Sequence, residues 1–268
     1  MKRTIAGKRI IITGASGGIG QAIAENLSAN GARVILAARN LDRLKALENT
    51  IRGNGGDALA VPCDVTEPAD RQRLIETVVR QWGGLDGLVN NAGVSAWGHF
   101  QTSTEALNRK VFEVNFFAPV ELTRLCIPEL TKGQQPFVLN VTSMCARRGM
   151  PAWPEYSASK FALIGMCEAL RGELVRFGTD LITIVPGLTK SELNQHLLRS
   201  DGKAKIPFET GMEPSYVAAR IVEAIRSNRR EVVLGGEAKR LIFFNRFAPK
   251  LTNWLIARRV KKLYRDSE

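Results

Sequence analysis

The chain is short of the residues that metal and thiol chemistry need. Among 268 residues there are two histidines, His99 and His196, and four cysteines, Cys63, Cys126, Cys145 and Cys167, with no Cys-x-x-Cys pair. Zinc knuckles and dithiol redox motifs are therefore unsupported, no metal site is expected, and a histidine-based triad is poorly supported. Reduced, mostly buried thiols are the expectation. No uninterrupted apolar segment approaches the roughly 18 residues of a membrane span. Met1-Lys-Arg-Thr-Ile runs within a few residues into strand-like sequence, leaving no room for a signal peptide's apolar stretch. The expected address is the cytoplasm. A third shortage is local: from Lys239 to Arg265 there are nine Lys or Arg and no Asp or Glu, so most of the net charge of +12 sits in the C-terminal tail.

What is present is ordinary for a soluble globular protein, with 44% apolar and 24% charged residues. The length suits one large α/β domain. Residues 9–13, Arg-Ile-Ile-Ile-Thr, read as a buried strand, and an apolar run with helical spacing begins near Ile19 and continues through Ala22, Ile23 and Leu27. Between them lies Gly14-Ala-Ser-Gly-Gly-Ile-Gly20. A second strand follows at 34–38 and a helix at about 41–51. The order strand, Gly-rich turn, helix, strand is a βαβ unit, which calls for a parallel sheet with helices on both faces.

The alternation continues with strands at 58–62, 85–89, 137–141, 181–185 and 231–234. Helices are expected at 67–82, at 103–130 with Pro119 and Pro128 bending or ending parts of it, through Tyr156 to about Phe177, and at 214–227. Residues 188–212, with Gly202, Pro207 and Gly211, read as a mobile, partly helical loop. The expected architecture is a Rossmann-type, doubly wound, mostly parallel seven-stranded sheet. It occupies residues 1–236, followed by a basic amphipathic extension at 237–268.

Two constellations carry chemistry. A Gly-rich turn after a first strand lets backbone approach a pyrophosphate, and the helix behind it offers free amides and the positive end of its dipole. Here the spacing is Gly14-x-x-x-Gly18-x-Gly20, one residue longer than the usual dinucleotide fingerprint. The second is Tyr156-Ser-Ala-Ser-Lys160, with Ser143 thirteen residues upstream of the tyrosine. Tyr and Lys at i and i+4 share a helix face. A phenol titrates near pH ~10, and a fixed ammonium beside it favours the phenolate, which suits proton exchange near neutrality. A facing Ser hydroxyl would hold the substrate oxygen within hydrogen-bond reach.

Taken in order, Thr13-Gly14-Ala-Ser-Gly-Gly-Ile-Gly20, Asn90-Asn-Ala-Gly93, Asn115, Ser143, Tyr156-x-x-x-Lys160 and Pro186-Gly187 resemble the classical short-chain dehydrogenase/reductase family over about residues 7–235. The resemblance implies roles residue by residue. Tyr156 is the expected acid or base, and Lys160 lowers its pKa and binds the nicotinamide ribose. Ser143 orients the substrate oxygen, while Asn115 either holds a proton-relay water or only kinks its helix. The expected cofactor contacts are Gly14, Ser16, Gly18, Ile19, Gly20, Asp64, Val65, Asn90, Ala92, Gly93, Pro186, Gly187 and Thr189, with Tyr156 and Lys160. Asn90 braces the sheet, and Asp64 accepts from the adenine amine or simply caps the next helix. Ser191 stands where the family often has Thr. Homodimers or homotetramers are common in the family.

Cofactor choice has a physical basis. An enzyme for NAD usually ends its second strand on a carboxylate that accepts from the ribose 2′-hydroxyl. Here that end reads Ala37-Ala-Arg39-Asn40, which offers a cation to a 2′-phosphate, with Arg43 as a helper. NADP(H) is therefore expected in preference to NAD(H), the alternative being a solvated Arg39.

Substrate residues are less legible. Trp97, Met144, Met150, Trp153, Leu193, Phe208 and Met212 lie on segments expected to converge above the nicotinamide as an apolar pocket, and His196 reads as a solvated loop residue. In the tail, Leu241, Phe244, Phe247, Leu251, Trp254, Leu255 and Leu263 recur at near-helical spacing among the cations, and Pro249 splits them into two amphipathic pieces. Three readings stay open. The stripe packs on the body or a second subunit, residues 239–265 lie against the inner face of an anionic membrane, or they meet an acidic partner, nucleic acid being disfavoured. This tail, with Glu213-Pro-Ser-Tyr-Val-Ala before a short last strand, looks more like the family's steroid and lipid-carbonyl reductases. The expected activity is an NADP(H)-dependent interconversion of a carbonyl and a secondary alcohol on a lipophilic small molecule. The alternatives are a 3-oxoacyl-thioester reductase and a catalytically silent NADP-sensing protein.

Overall fold

The computed structural model describes residues 2–190, 196–204 and 206–265. Ser191 and Leu193 lie outside them. The chain alternates β1 (Arg9–Thr13), α1 (Gly18–Ala29), β2 (Arg33–Ala38), α2 (Leu41–Gly53), β3 (Asp57–Pro62), α3 (Pro68–Trp82) and β4 (Gly87–Asn90). It continues through α4 (Glu105–Phe112), α5 (Ala118–Leu130), β5 (Phe137–Val141), α6 (Pro154–Leu174), β6 (Asp180–Pro186), α7 (Pro214–Ser227) and β7 (Glu231–Leu234), then closes with α8 (Gly236–Phe247) and α9 (Pro249–Arg265).

The strands form one seven-stranded sheet in the order β3-β2-β1-β4-β5-β6-β7, with every neighbouring pair parallel. A parallel strand in the middle of such a sheet is covered on both faces, which is why β1 reads as an unbroken Ile10-Ile11-Ile12 rather than as an alternating strand. The pleat then divides the run. Ile10 and Ile12 join Val34 and Leu36 against α1, α2 and α7, whereas Ile11 joins Ile35 and Ala37 against α3 and α5. Each fully buried isoleucine contributes about 1.5–3 kcal/mol. The expected fold class is the observed one.

Two departures matter for the site. The fourth strand begins at Gly87, not residue 85: Asp86 at its entrance is occupied by a bidentate pair with Arg9, Arg9 Nε donating to Oδ2 at 2.8 Å and a second guanidinium nitrogen to Oδ1 at 3.0 Å. The single helix expected over 103–130 is broken by a π turn at Glu113–Phe117, so the interruption falls at Asn115 and not at a proline. Pro119 follows directly on the π turn, in the first turn of α5, and Pro128 lies inside it near its end.

Strand order reverses between β1 and β4. In a doubly wound sheet the loops leaving the carboxyl ends of two such strands diverge to opposite faces and open a crevice, which is where a ligand fits.

Candidate active site

The crevice is real: a cavity of about 480 Å³ lies beyond the carboxyl ends of the strands. Its floor is the Gly-rich turn. Gly14 has φ +66°, and a Cβ there would come within 2.9 Å of Ala92 Cα. A Cβ on Gly20 would stand 2.1 Å from the Gly14 carbonyl oxygen, so α1 can pack this closely on the turn only without a side chain. Gly17 precedes α1 without a side-chain cap. The amides at that helix end thus face the cavity with no protein acceptor supplied by a capping residue, the arrangement that suits a pyrophosphate.

The turn is held from β4. Asn91 Nδ2 donates to the carbonyls of Thr13 at 3.0 Å and Gly14 at 3.3 Å, while Thr13 Oγ1 accepts from the amides of Asn91 and Ala92 at 3.0 and 3.1 Å. Asn91 was not among the expected contacts, although it sits inside Asn90-Asn-Ala-Gly93. Its partner Asn90 is buried behind the cavity, donating to Asn140 Oδ1 at 2.9 Å and Thr123 Oγ1 at 3.1 Å, and so ties β4 to β5 and α5.

At one end of the cavity lie Arg39, Asn40, Asp64, Val65 and Lys110. Asn40 Oδ1 accepts from the amide of Arg43 and starts α2. Asp64 Oδ1 accepts from both the amide (2.9 Å) and hydroxyl (2.7 Å) of Thr66. Burial pushes this carboxyl up, but the two Thr66 bonds, with Lys110 and Arg39 nearby, bring it below its ordinary pKa. It is thus an anion that organises its own turn while lining the cavity. Lys110 reaches the cavity from α4, a placement that no spacing in the sequence signals.

At the other end are Ser143, Tyr156 and Lys160. Ser143 caps a short 3₁₀ turn, Met144–Ala146, its Oγ accepting from the Cys145 amide at 3.1 Å, and its hydroxyl is near enough to Tyr156 to favour the ionised phenol. Tyr156 and Lys160 lie a turn apart on α6, with the ammonium 5.8 Å from the phenol ring centre. Both are buried, and Lys160 Nζ has Val141 O as acceptor at 3.3 Å. Burial is the main cause of both shifts: it raises Tyr156 above its ordinary value by more than Ser143 lowers it, and it brings Lys160 down to about 8. The expected lowering of Tyr156 by Lys160 is not what the protein alone produces; at neutral pH the phenol is a proton donor.

Asn115 does not line the cavity. It is fully buried behind Gly93: its Nδ2 donates to Val94 O at 2.9 Å and Ser159 Oγ at 3.1 Å, and its Oδ1 accepts from the Val94 amide at 2.9 Å. A Cβ on Gly93 would lie 3.2 Å from Asn115 Oδ1 and 3.6 Å from Lys160 Nζ, so the two polar groups converge on that glycine.

Ser16, Gly18, Ile19, Ala92, Gly93, Pro186, Gly187 and Thr189 face the cavity together with Gly14, whereas Gly20, like Asn90 and Asn115, supports it from behind. Above the Ser143 end, the walls are Met144, Cys145, Trp153, Leu188, His196, Leu198 and Phe208. Met150, Trp97 and Met212 are not in the wall; Trp97 backs Trp153 with ring centres 4.4 Å apart. Cys145 has its thiol pushed up to about 11 by burial and acts as an apolar wall atom. The segment after β6 is fastened by backbone: Leu198 N donates to Ser95 O, Trp97 N to Arg199 O and Asp201 N to Trp97 O at 2.8–3.0 Å.

Comparison with known proteins agrees with this geometry. The short chain dehydrogenase family model matches residues 8–202. The chain belongs to the short-chain dehydrogenase/reductase family. A Bacillus subtilis relative named as the uncharacterized oxidoreductase YxnA is 34% identical over 251 residues, covering 92% of this chain and 70% of its own. The ketoacyl reductase HetN of Nostoc is 32% identical over 232 residues, covering 86% and 79%. Among solved structures, a family member from Burkholderia phymatum in complex with NAD superimposes with a TM-score of 0.84 at 23% identity, covering 93% of this chain and 96% of that one, a likeness of fold. Short-chain dehydrogenases bind NAD or NADP, and this member of the family is an oxidoreductase with a small-molecule substrate. The glycine cradle, the uncapped helix end and the Tyr156–Lys160 pair fit such a dinucleotide.

Proposed function

We propose that this short-chain dehydrogenase/reductase is an NADP(H)-dependent enzyme that interconverts a lipophilic ketone and its secondary alcohol. The observation that carries the cofactor reading is the cation pair at the adenosine end: Arg39 at the close of β2 and Lys110 from α4 both line the cavity where an NAD enzyme would present a carboxylate. The substrate reading rests on the wall of Met144, Trp153, Leu188, Leu198 and Phe208, which offers bulky apolar surface beside the phenol.

In this reading Gly14, Ser16, Gly18, Ile19 and the α1 amides hold the pyrophosphate, Asp64 and Val65 the adenine, Arg39 the 2′-phosphate, and Ala92, Gly93, Pro186, Gly187 and Thr189 the nicotinamide side. The bound cofactor supplies or accepts the hydride. Ser143 fixes the substrate oxygen against Tyr156, and Tyr156 donates the proton to that oxygen in reduction or removes it in oxidation. Lys160 hydrogen-bonds the ribose and lies next in line to return the proton. Asn115 spends both amide hydrogens and one Oδ1 lone pair on Val94 and Ser159, leaving the other lone pair beside Lys160 for a relay water. We further propose a homo-oligomer, a cytoplasmic location, and a tail at 239–265 that meets a membrane surface.

NADPH and NADH oxidation are measured over a panel of apolar ketones for wild type, Tyr156→Phe and Arg39→Asp. NADPH turnover that falls by 10²–10⁴ in Tyr156→Phe with NADPH binding intact supports the acid. Loss of the NADPH preference in Arg39→Asp supports the 2′-phosphate contact, while a wild-type preference for NADH removes it. Binding of NADPH without turnover of any ketone would favour the silent sensor. Because the Nostoc relative is named a ketoacyl reductase, a second reading is a 3-oxoacyl-thioester reductase; faster turnover of acetoacetyl-CoA than of bulky ketones would select it.

A further inference from the structure

We propose that the junction of α8 and α9 docks on an anionic lipid bilayer and holds the apolar mouth of the cleft against it, so that substrate enters from the membrane. This rests on the lipophilic-substrate reading and adds the surface, the contacting residues and the orientation.

The surface is apolar where a folded chain usually is not. Phe243, Phe244 and Phe247 of α8 and Leu251, Trp254 and Leu255 of α9 are each at least half exposed, up to 67% for Phe247. They lie within one to two turns of the α8–α9 junction in sequence, and Phe243 gathers the other two rings at 5.8 and 4.8 Å. Scattered exposed apolar residues need no explanation, but a run of six on adjoining helix turns does. The packing of α9 on the body does not absorb them. It uses the other stripe, with Thr252 buried and Ile256, Val260, Leu263 and Tyr264 half-buried at helical spacing.

Charge selects the occupant. The segment 239–265 carries nine cations and no carboxylate. A second copy of this face would bring the same nine cations into register, and an uncharged apolar partner would leave them unmatched. A bilayer with anionic headgroups satisfies both chemistries, with rings at the acyl boundary and ammonium and guanidinium groups at the phosphates. Arg246 lies 5.8 Å from the Phe247 ring centre and Arg258 lies 5.3 Å from that of Trp254, pairings suited to the headgroup level. No helix among the described residues is long and apolar enough to cross a membrane, so this is contact along one surface.

Both ends of the tail are tied to the cleft mouth. In α8, Glu237 Oε1 accepts from the amide of Leu188 at 2.9 Å, and Asn245 exchanges hydrogen bonds with Arg147 O and the Arg148 guanidinium beside Met144–Ala146. At the far end of α9, the Tyr264 hydroxyl meets His99 Nδ1 at 2.8 Å, and Lys203 sits 4.7 Å from its ring centre, on the segment that carries Leu198. Leu188, Met144 and Leu198 are cleft walls. A surface that grips the junction is therefore held next to the mouth.

The full chain is sedimented with vesicles of phosphatidylcholine alone and of equal parts phosphatidylcholine and phosphatidylserine. Two variants accompany wild type: Phe243→Ser with Phe247→Ser and Trp254→Ser, and Arg258→Glu with Arg259→Glu and Lys262→Glu. Wild type is expected to pellet with the phosphatidylserine vesicles, less so as salt rises, and either variant to partition about a hundredfold more weakly. NADPH oxidation with a water-soluble ketone and no lipid, expected to be the same in all three, confirms that the variants fold and reports on the reductase reading separately. If that activity is missing in wild type, the reductase reading fails and the docking result still stands on pelleting. Failure of wild type to pellet, equal pelleting with both vesicle types, or an apolar variant whose sedimentation coefficient changes without lipid would overturn the proposal, the last making this face a contact between copies.

Discussion

Replacing Lys160 by methionine should stabilise the protein while abolishing turnover. The ammonium is buried at 4% exposure with one backbone acceptor at 3.3 Å, and burial brings its pKa from 10.5 to about 8. At about 1.4 kcal/mol per unit, that difference corresponds to roughly 3 kcal/mol against folding. The sign follows from proton counts. A lysine whose pKa falls on folding costs stability at every pH below the folded value, because the charged form is held in the interior. As pH rises from about 8 towards 10.5 the folded protein has released the proton that the unfolded chain still binds, and the cost shrinks. Lys160→Met keeps the stem and removes the charge. Urea unfolding without cofactor should show the variant more stable by up to about 3 kcal/mol near pH 7, with the gap reduced to about 1.4 kcal/mol at pH 9.5. Comparing the two proteins at each pH cancels the contributions of Tyr156 and the thiols. A methionine variant less stable near neutrality, or a gap that does not move with pH, would refute the reasoning.

Other expectations are simpler. Gly20→Ala puts a methyl 2.1 Å from the Gly14 carbonyl and should lose NADPH binding, read by fluorescence titration, with helical circular dichroism retained. Asn115→Ala removes three hydrogen bonds to Val94 and Ser159 and should cost about 2–3 kcal/mol in urea unfolding. A kcat loss that Asn115→Ser restores without recovering stability would assign the relay rather than the brace. Asp86 is pushed up by burial but held below the ordinary carboxylate range by Arg9 and by the amides of Arg9 and Gln134. Its contribution is present above about pH 4 and lost as pH falls through the folded value. Asp86→Asn should therefore lower stability by roughly 3 kcal/mol near neutrality and flatten the acid limb of the unfolding curve.

The sheet, the Gly-rich turn and the placing of Tyr156 beside Lys160 were legible because each is encoded locally. Ile10-Ile11-Ile12 before a Gly-rich turn reads as a buried strand, and Tyr156 and Lys160 meet on a helix by spacing alone. What escaped depends on contacts distant in sequence. The π turn at Asn115 exists because that side chain reaches Val94 and Ser159, 21 and 44 residues away, and no periodicity shows such a widening. Lys110 enters the cavity only because α4 crosses there. The tail pattern correctly predicted two helices divided at Pro249, but an amphipathic stripe does not say what covers it. The structure gives the body Thr252, Ile256, Val260 and Leu263 and leaves Phe244, Phe247, Leu251, Trp254 and Leu255 outside. Direction of the Tyr156 shift was misread for a related reason. Spacing reveals the neighbouring ammonium but not the depth of burial, and burial is the larger effect.

The clamp on the Gly-rich turn has a consequence in time. Thr13 and Gly14 emerge early in synthesis, but Asn91, which pins their carbonyls, lies 78 and 77 residues further along. A nascent chain that has released β1, α1 and β2 has the glycines without the strand that shapes them. The turn can therefore take its final shape only when β4 has left the ribosome and slotted in beside β1, on the side away from β2, although every glycine of that turn was made long before.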